Sequence, residues 1–338
     1  MSCLKCWGIA LRTWFIGHEA MDREPYVDAT VLIYDSKLHL RKQTRSILNI
    51  IGFWNIEECE TLDEVQHALS GHHADLAVLA VEHRHDGVAG MVNEVRRFRC
   101  GSDPFLPIIL TSWDARLRVV RSIINSDADD FLVNPFSTAD LGERVDALVR
   151  NRKPFVVTEE YFGPDRRTAQ ARAGDPGTVD VPNALRARAE RRPELGPNSH
   201  MIEAAMGKLR RVKVRNVARR IWAIADILYK AFEDPSLPDW IDRELLQILK
   251  SGRTFHEAIA SSQTAELGSL CDSVIQVANK IRDERPTQKN LELLEQSALA
   301  LRVAAQLGGD GSVAASEISS VVSGVGGKAD DVVKSVVG

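Results

Sequence analysis

The chain carries an apolar run, Ala74-Asp75-Leu76-Ala77-Val78-Leu79-Ala80-Val81, that decides the fold. Its last six residues are all apolar, which is typical of a strand buried on both faces of a parallel sheet. Similar runs occupy residues 30–34, directly before Asp35, and residues 106–110, directly before Thr111. Because the carboxyl ends of parallel strands meet at one edge of a sheet, we expect these three strand ends to form one pocket.

The composition is typical of a soluble globular protein, with 338 residues, 44% hydrophobic and 27% charged. The length favours two domains. A formal net charge of −4 argues against wholesale nucleic-acid binding. Five scattered cysteines indicate no disulfide framework and fit a reducing compartment. No stretch approaches the length of a transmembrane helix, so we expect a cytoplasmic protein without membrane contact.

Strand and helix patterns alternate from Asp28 to Arg150. Right-handed crossovers between such units produce a doubly wound sheet of the flavodoxin type. We therefore predict an α/β domain in residues 28–150, built on a five-stranded parallel sheet. The strands are expected at residues 30–34, 55–59, 76–81, 106–111 and 130–133, and the fourth of five helices at residues 115–125.

The rest of the chain divides by composition. Residues 1–27 are expected to be an N-terminal extension, with Met21 a candidate true start. Residues 151–199 contain many prolines and glycines without a hydrophobic period, which predicts a flexible linker with a short helix near 184–190. The apolar start of this linker, Phe155–Val157, is expected to pack back on the first domain.

Residues 200–307 have the periodicity of four amphipathic helices and predict an all-α helical bundle. Pro238 should begin the second of these helices, and Gly252 should end it. Residues 308–338 form a low-complexity tail rich in Gly, Ser and Val, which we expect to be disordered when unbound.

The strand ends of the first domain resemble those of the receiver domain of bacterial two-component response regulators. The most telling segment is Asp127–Phe136, with its proline turn after the fifth strand, and residues 153–167 are similar to a tail found after receivers in a subgroup of these proteins. The resemblance implies a CheY-like fold and a role in phosphorelay signalling, with a kinase or another two-component protein as partner. It covers residues 28–167, and its other stretches are 31–35, 74–76 and 107–111.

The resemblance also implies five pocket positions. Asp35 matches an acidic residue that helps to hold Mg²⁺, and Thr111 matches a hydroxyl that contacts the phosphoryl group. Ser36 stands where a second acid is expected, Asn134 where a lysine is expected, and Ala80 where the aspartate nucleophile is expected. Because alanine has no heteroatom to phosphorylate, we predict a degenerate pocket with no phosphotransfer, no enzymatic activity and no cofactor, Mg²⁺ included.

Other interpretations of this region remain open. Glu82 could lean back toward the pocket, but the spacing from Asp75 places Ala80 at the acidic position, so we interpret residues 82–86 as a solvated loop. Asp35 and Thr111 are expected to serve structurally, at the start of a helix and at the end of a strand. Histidines with acids nearby suggest a metal site, but no ligand geometry is fixed, so we predict none. These histidines are His72, His73, His83 and His85.

The helical region contains a basic run at residues 208–220 without a single acid. Its candidate partner-binding residues are Arg210, Arg211, Lys213 and Arg215. The favoured function is that of a non-phosphorylatable pseudo-receiver acting as a protein-interaction adaptor. The alternative is a nucleic-acid-associated transcriptional regulator that uses the basic helix, although no helix-turn-helix follows it. A third hypothesis is a phosphotransfer helix centred on His256.

Overall fold

A computed structural model of the chain describes residues 25–71, 73–83, 87–114, 126–167, 177–232, 238–259, 265–284 and 286–307. The helix expected at 115–125, the start of the chain to residue 24 and the tail from residue 308 lie outside the described residues. The chain forms two compact units. One includes the chain up to Lys153 together with Val181–Ile202, and the other includes Pro154–Asp180 and the chain from Glu203 onward.

The first unit contains a five-stranded parallel sheet. The strands of the sheet are β1 (Thr30–Tyr34), β2 (Asn55–Cys59), β3 (Leu76–Ala80), β4 (Ile108–Ser112) and β5 (Asp130–Val133). The described helices that follow these strands are α1 (Leu38–Ile51), α2 (Leu62–Gly71), α3 (Val88–Arg96) and α4 (Thr138–Arg150). The strand order is β2-β1-β3-β4-β5. This is the flavodoxin-like order of doubly wound sheets, so the predicted fold class is confirmed.

Both faces of the sheet are covered. Val31 and Ile33 of β1 belong to a core that includes residues of α1 and α4. Leu32, which points to the other face, belongs to a core that includes residues of α2 and α3. All five residues of β3 are buried, as its continuous apolar run predicts.

The amino edge of the sheet holds a buried cluster of charges. The Arg96 side chain is fully buried, and its Nη2 donates to Asp129 Oδ2 at 2.8 Å. On the other side of the same carboxylate, Arg152 Nε donates to Asp129 Oδ1 at 2.8 Å and Arg152 Nη2 donates to Oδ2 at 3.1 Å. The Arg96 guanidinium also donates to the backbone carbonyls of Pro104, Leu106 and Asp127. The Asp129 carboxylate therefore pairs with two guanidinium groups. The Arg96 guanidinium in turn binds the backbone of the segments that precede β4 and β5.

We expect Asp129→Asn to lower the free energy of unfolding of the first unit by about 3–5 kcal/mol, because it leaves two buried guanidinium groups around a neutral amide. Denaturant unfolding followed by circular dichroism measures this. The control is Asp130→Asn, whose partner Arg144 lies at 3.5 Å in a half-exposed ion pair. That change should cost less than about 1 kcal/mol, and equal losses for the two variants would contradict the assignment.

The segment predicted as a flexible linker has regular structure over much of its described length. It contains α5 (Ala184–Ala189) and a 3-10 turn at Pro193–Leu195. Asn183 Nδ2 donates to Leu148 O at 2.8 Å, and the fully buried Leu185 joins the core beside α1 and α4. The prediction of a short helix at 184–190 agrees with α5. These contacts come from one leucine and one asparagine, and two isolated residues produce no hydrophobic period that could be recognised in the sequence.

The second unit is built on four helices, as predicted. They are α6 (Ser199–Ala231), α7 (Pro238–Ile259), α8 (Ala265–Glu284) and α9 (Gln288–Leu307), and all four contribute to one apolar core. Gly252 does not end the second helix, because α7 continues to Ile259. A Cβ atom at Gly252 would lie 2.9 Å from side-chain atoms of Ile275, so the glycine permits the close approach of α8. No helix among the described residues is both long and apolar enough to cross a membrane.

The second unit also contains an antiparallel hairpin formed by β6 (Phe155–Val157) and β7 (Phe162–Pro164). Within this unit, Asn216 Nδ2 of α6 donates to Val157 O at 3.0 Å, and Lys250 Nζ of α7 lies 2.9 Å from Glu160 Oε1. The packing of Phe155–Val157 on the first domain stays a prediction. Because residues 151–199 contribute to both compact units, the predicted boundaries at 150 and 200 do not match the units of the structure.

Leu185→Ala tests whether α5 is an integral part of the first unit. We expect a loss of about 2–5 kcal/mol in the free energy of unfolding, because the substitution leaves a cavity beside α1 and α4. Urea unfolding monitored by tryptophan fluorescence gives the value. In the control Arg186→Ala, an exposed residue of the same helix loses an ion pair with Glu190, which should cost less than about 1 kcal/mol. A Leu185 variant as stable as the control would show that α5 does not contribute to the fold.

Candidate functional site

The five predicted pocket residues lie at the carboxyl edge of the sheet. Ala80, the last residue of β3, is paired in register with Thr111 of β4, and both are buried. Asp35 follows β1 one position beyond the pair Tyr34–Leu79, which places it alongside Ala80. Asn134 follows β5, where its backbone N–H donates to Ser112 O at 2.8 Å. The centre of this edge is therefore occupied by a methyl group and a hydroxyl group.

The Asp35 carboxylate is engaged by the chain that follows it. Its Oδ1 accepts a hydrogen bond from the Lys37 backbone N–H at 2.9 Å, which is an Asx-turn. The buried Arg41 donates from Nη1 to the carbonyl oxygen of Asp35 at 2.6 Å. Burial raises the pKa of the Asp35 carboxyl group, and the nearby Glu82 adds to the effect. Asp35 thus shapes the turn between β1 and α1.

Glu82 is exposed, in agreement with its interpretation as part of a solvated loop, and its carboxylate also contacts this edge. The Ser36 hydroxyl donates to Glu82 Oε1, and Lys37 Nζ lies 3.4 Å from the same oxygen. The hydrogen bond from Ser36 is the largest cause that lowers the pKa of Glu82. Ser36 and Glu82 each lie two residues beyond the ends of adjacent parallel strands, β1 and β3, and this spacing is the sequence signal that could have paired them.

The carboxyl edge offers few protein oxygen donors for a magnesium ion. Mg²⁺ prefers several oxygen ligands in a nearly octahedral shell. The site offers the carboxylates of Asp35 and Glu82, and both already accept hydrogen bonds from Ser36 or from the backbone of Lys37. Across the described residues, no group of three or more His, Cys, Asp or Glu side chains could hold a metal ion.

The predicted histidine cluster is only partly described. His73 Nδ1 lies 3.1 Å from Ser102 Oγ, whereas His72 and His85 lie outside the described residues. The remaining member, His83, lies directly after Glu82 and contributes to the low pKa of its carboxyl group. The described histidines of this group therefore have local roles at two different places in the chain.

The predicted basic residues lie on α6. Arg210 and Arg211 are exposed, and Lys213 and Arg215 are half-buried. None of the four has an ion pair with a described residue. By contrast, Arg220 has an ion pair, since its Nη1 lies 3.3 Å from Glu159 Oε2 of the hairpin. Arg220 lies one to three turns further along the same helix.

His256 does not present a free phosphoacceptor nitrogen. It lies on α7, and its Nε2 is 2.9 Å from Asp272 Oδ1 of α8. The same nitrogen has almost no accessible surface. A phosphoryl donor would have to displace Asp272 to reach Nε2, so the geometry does not favour the phosphotransfer hypothesis.

A scan against protein-family models finds no match, and a search of curated proteins finds none either. Solved structures similar to this chain include a signal receiver domain of a two-component histidine kinase from Clostridium thermocellum, with 19% identity over 37% of this chain and 99% of that one, at a TM-score of 0.32. A CheY-like receiver domain protein from Methanospirillum hungatei has 20% identity, covers 35% of this chain and 90% of its own, and has a TM-score of 0.31. A CheY-like response regulator from Mesorhizobium loti has 16% identity, covers 35% of this chain and 96% of its own, and has a TM-score of 0.29.

The two carboxylates of the site should affect stability with opposite signs. The pKa of Asp35 is raised, so its ionised form opposes folding, and Asp35→Asn should raise the midpoint of thermal unfolding above neutral pH. This gain should vanish below about pH 4, where the carboxyl group is protonated in both states. The pKa of Glu82 is lowered, so its ionised form favours folding, and Glu82→Gln should lower the midpoint near neutral pH.

The deficit of Glu82→Gln should shrink as the pH falls through the pKa of Glu82, because the protonated side chain no longer attracts Lys37. Circular dichroism melts of both variants and the wild type, between about pH 2 and about pH 8, check both signs and the loss of both effects in acid. Two shifts of the same sign near neutral pH would rule out this account of the site.

Proposed function

We propose that the first unit is a receiver-type module that does not accept a phosphoryl group and that works as a protein-interaction adaptor in two-component signalling. The proposal combines the flavodoxin-like sheet order with the resemblance of residues 28–167 to receiver domains. Its key observation is Ala80, which lies beside Thr111 and Asp35 where the resemblance requires a carboxylate nucleophile. A methyl group can neither attack phosphorus nor carry a phosphoryl group.

The surroundings of Ala80 support the same function. Phosphoryl transfer depends on positive charge at the transferred group, normally from a metal ion and a lysine. Asn134 supplies no charge, and Lys37 is paired with Glu82 at 3.4 Å. Under this proposal the carboxyl edge contains its own ion pair, and its conformation does not depend on a kinase. No enzymatic activity and no bound cofactor are part of the proposal.

The test is incubation of the full chain with acetyl phosphate and Mg²⁺, followed by intact-mass measurement. We expect no added phosphoryl group on the wild type. A positive control restores the three missing groups in the variant Ser36→Asp, Ala80→Asp, Asn134→Lys. In that variant the carboxylate introduced at position 80 can attack phosphorus while acetate leaves, so we expect an adduct with one phosphoryl group.

The outcomes separate the alternatives. A stoichiometric adduct on the wild type would overturn the proposal, and its loss in Glu82→Gln would identify Glu82 as the acceptor. If neither the wild type nor the triple variant forms an adduct, the assignment of the lost activity to these three positions is wrong.

A further inference from the structure

One face of α6 carries three cations in line. Lys208, Arg211 and Arg215 are separated by three and four residues, so their side chains lie on the same face of the helix. At 1.5 Å per residue they span about 10 Å along its axis. Lys208 and Arg211 are exposed, and Arg215 is half-buried. These three residues are called the basic face below.

The charge of the basic face has no counterpart in the described part of the chain. Residues 204–225 contain seven Lys and Arg residues and no Asp or Glu. None of the three residues of the basic face has an ion pair with a described residue. Other arginines of the second unit differ, since Arg220 pairs with Glu159 and Arg282 Nε lies 2.8 Å from Asp242 Oδ1.

Among the described residues, the packing of α6 leaves this face outside the bundle core and away from the hairpin. Val214, Val217 and Ile221 point into the core of the bundle. Asn216 faces the hairpin, since its amide donates to Val157 O. At about 100° per residue, the basic face falls between these two covered sides of the helix. It is therefore neither part of the bundle core nor covered by β6.

We propose that the basic face docks an acidic helix of a protein partner. The proposal rests on the adaptor function proposed above and names the chemistry of the partner. Cations at spacings of three and four match the spacing at which a second helix presents a row of acidic side chains. Unpaired charge that is aligned in this way favours encounter with an oppositely charged surface and fixes its register.

A protein fits this surface better than a nucleic acid does. Binding to duplex DNA typically neutralises about 6–10 phosphates, and the basic face offers three cations over about 10 Å. The chain as a whole has a formal net charge of −4. A chain with this net charge lacks the overall positive charge that attracts a long polyanion, whereas a short acidic helix needs only the local basic face.

The experiment measures binding of labelled probes to the full chain by fluorescence anisotropy at low ionic strength. The first probe is a helical peptide of about 20 residues with glutamates repeated at alternating spacings of three and four. The second has the same composition, with the glutamates spread around the helix. The third is a short duplex DNA. The test variant is Lys208→Glu, Arg211→Glu, Arg215→Glu, and the control is Arg253→Glu, Lys289→Glu, which reverses two exposed cations elsewhere in the unit.

We expect the aligned peptide to bind more tightly than the scrambled one, and charge reversal of the basic face to weaken it about ten-fold. The control variant should bind nearly as the wild type does. The proposal is overturned if the two peptides bind equally well, or if the test and control variants weaken peptide binding equally. It is also overturned if DNA binds more tightly than the aligned peptide and the test variant abolishes that binding. Circular dichroism confirms that both variants fold. Because no phosphoryl donor is present, failure here is distinct from failure of the acetyl phosphate test.

Discussion

The arrangement of two guanidinium groups around the Asp129 carboxylate is the interaction on which the first unit most depends. Arg96 brings α3 to this carboxylate, and Arg152 brings the chain that follows α4. Charges in such a position are costly to bury singly and are tolerated because each is paired and hydrogen-bonded. Arg152 also donates to Pro182 O at 3.2 Å, so the same cluster positions the segment that forms α5.

The two edges of the sheet carry different kinds of charged contact. At the amino edge, buried pairs hold loops and helices in place. At the carboxyl edge, the charged side chains contact the turn that follows β1. Asp35 accepts a hydrogen bond from the Lys37 backbone, and Glu82 binds Ser36 and Lys37. The carboxyl edge, where doubly wound sheets bind their ligands, is thus polar, with Ala80 at the end of its central strand.

The sequence predicts most of the sheet, because continuous apolar runs such as Leu76–Ala80 are unambiguous when they alternate with helical periods. For the segment after α4 it predicts the short helix at 184–190 but not the packing, because the stabilising contacts come from isolated residues such as Asn183 and Leu185. Gly252 shows a related limit. A glycine after a periodic stretch is typical of a helix end, yet here it accommodates Ile275 of a neighbouring helix, which only the tertiary structure reveals.

The candidate site shows the same pattern. The positions of Ala80 and Thr111 follow from strand ends and could be inferred from the sequence. The equal spacing of Ser36 and Glu82 beyond β1 and β3 makes their pairing possible, but whether the two side chains meet depends on the path of the loop after β3. Hydrogen bonds between loops are set by backbone geometry that local residue patterns do not encode.

The two carboxylates at the carboxyl edge, those of Asp35 and Glu82, limit the single substitutions that the edge can tolerate. A lone change of Ala80 to aspartate would add a third carboxylate to a buried position near two others, with no metal ligand set to balance it. Like charges at such a distance disfavour each other's ionisation, so this single change would cost stability. If the proposed function holds, a phosphorylatable site could arise here only through several coordinated substitutions, and this requirement is an evolutionary barrier.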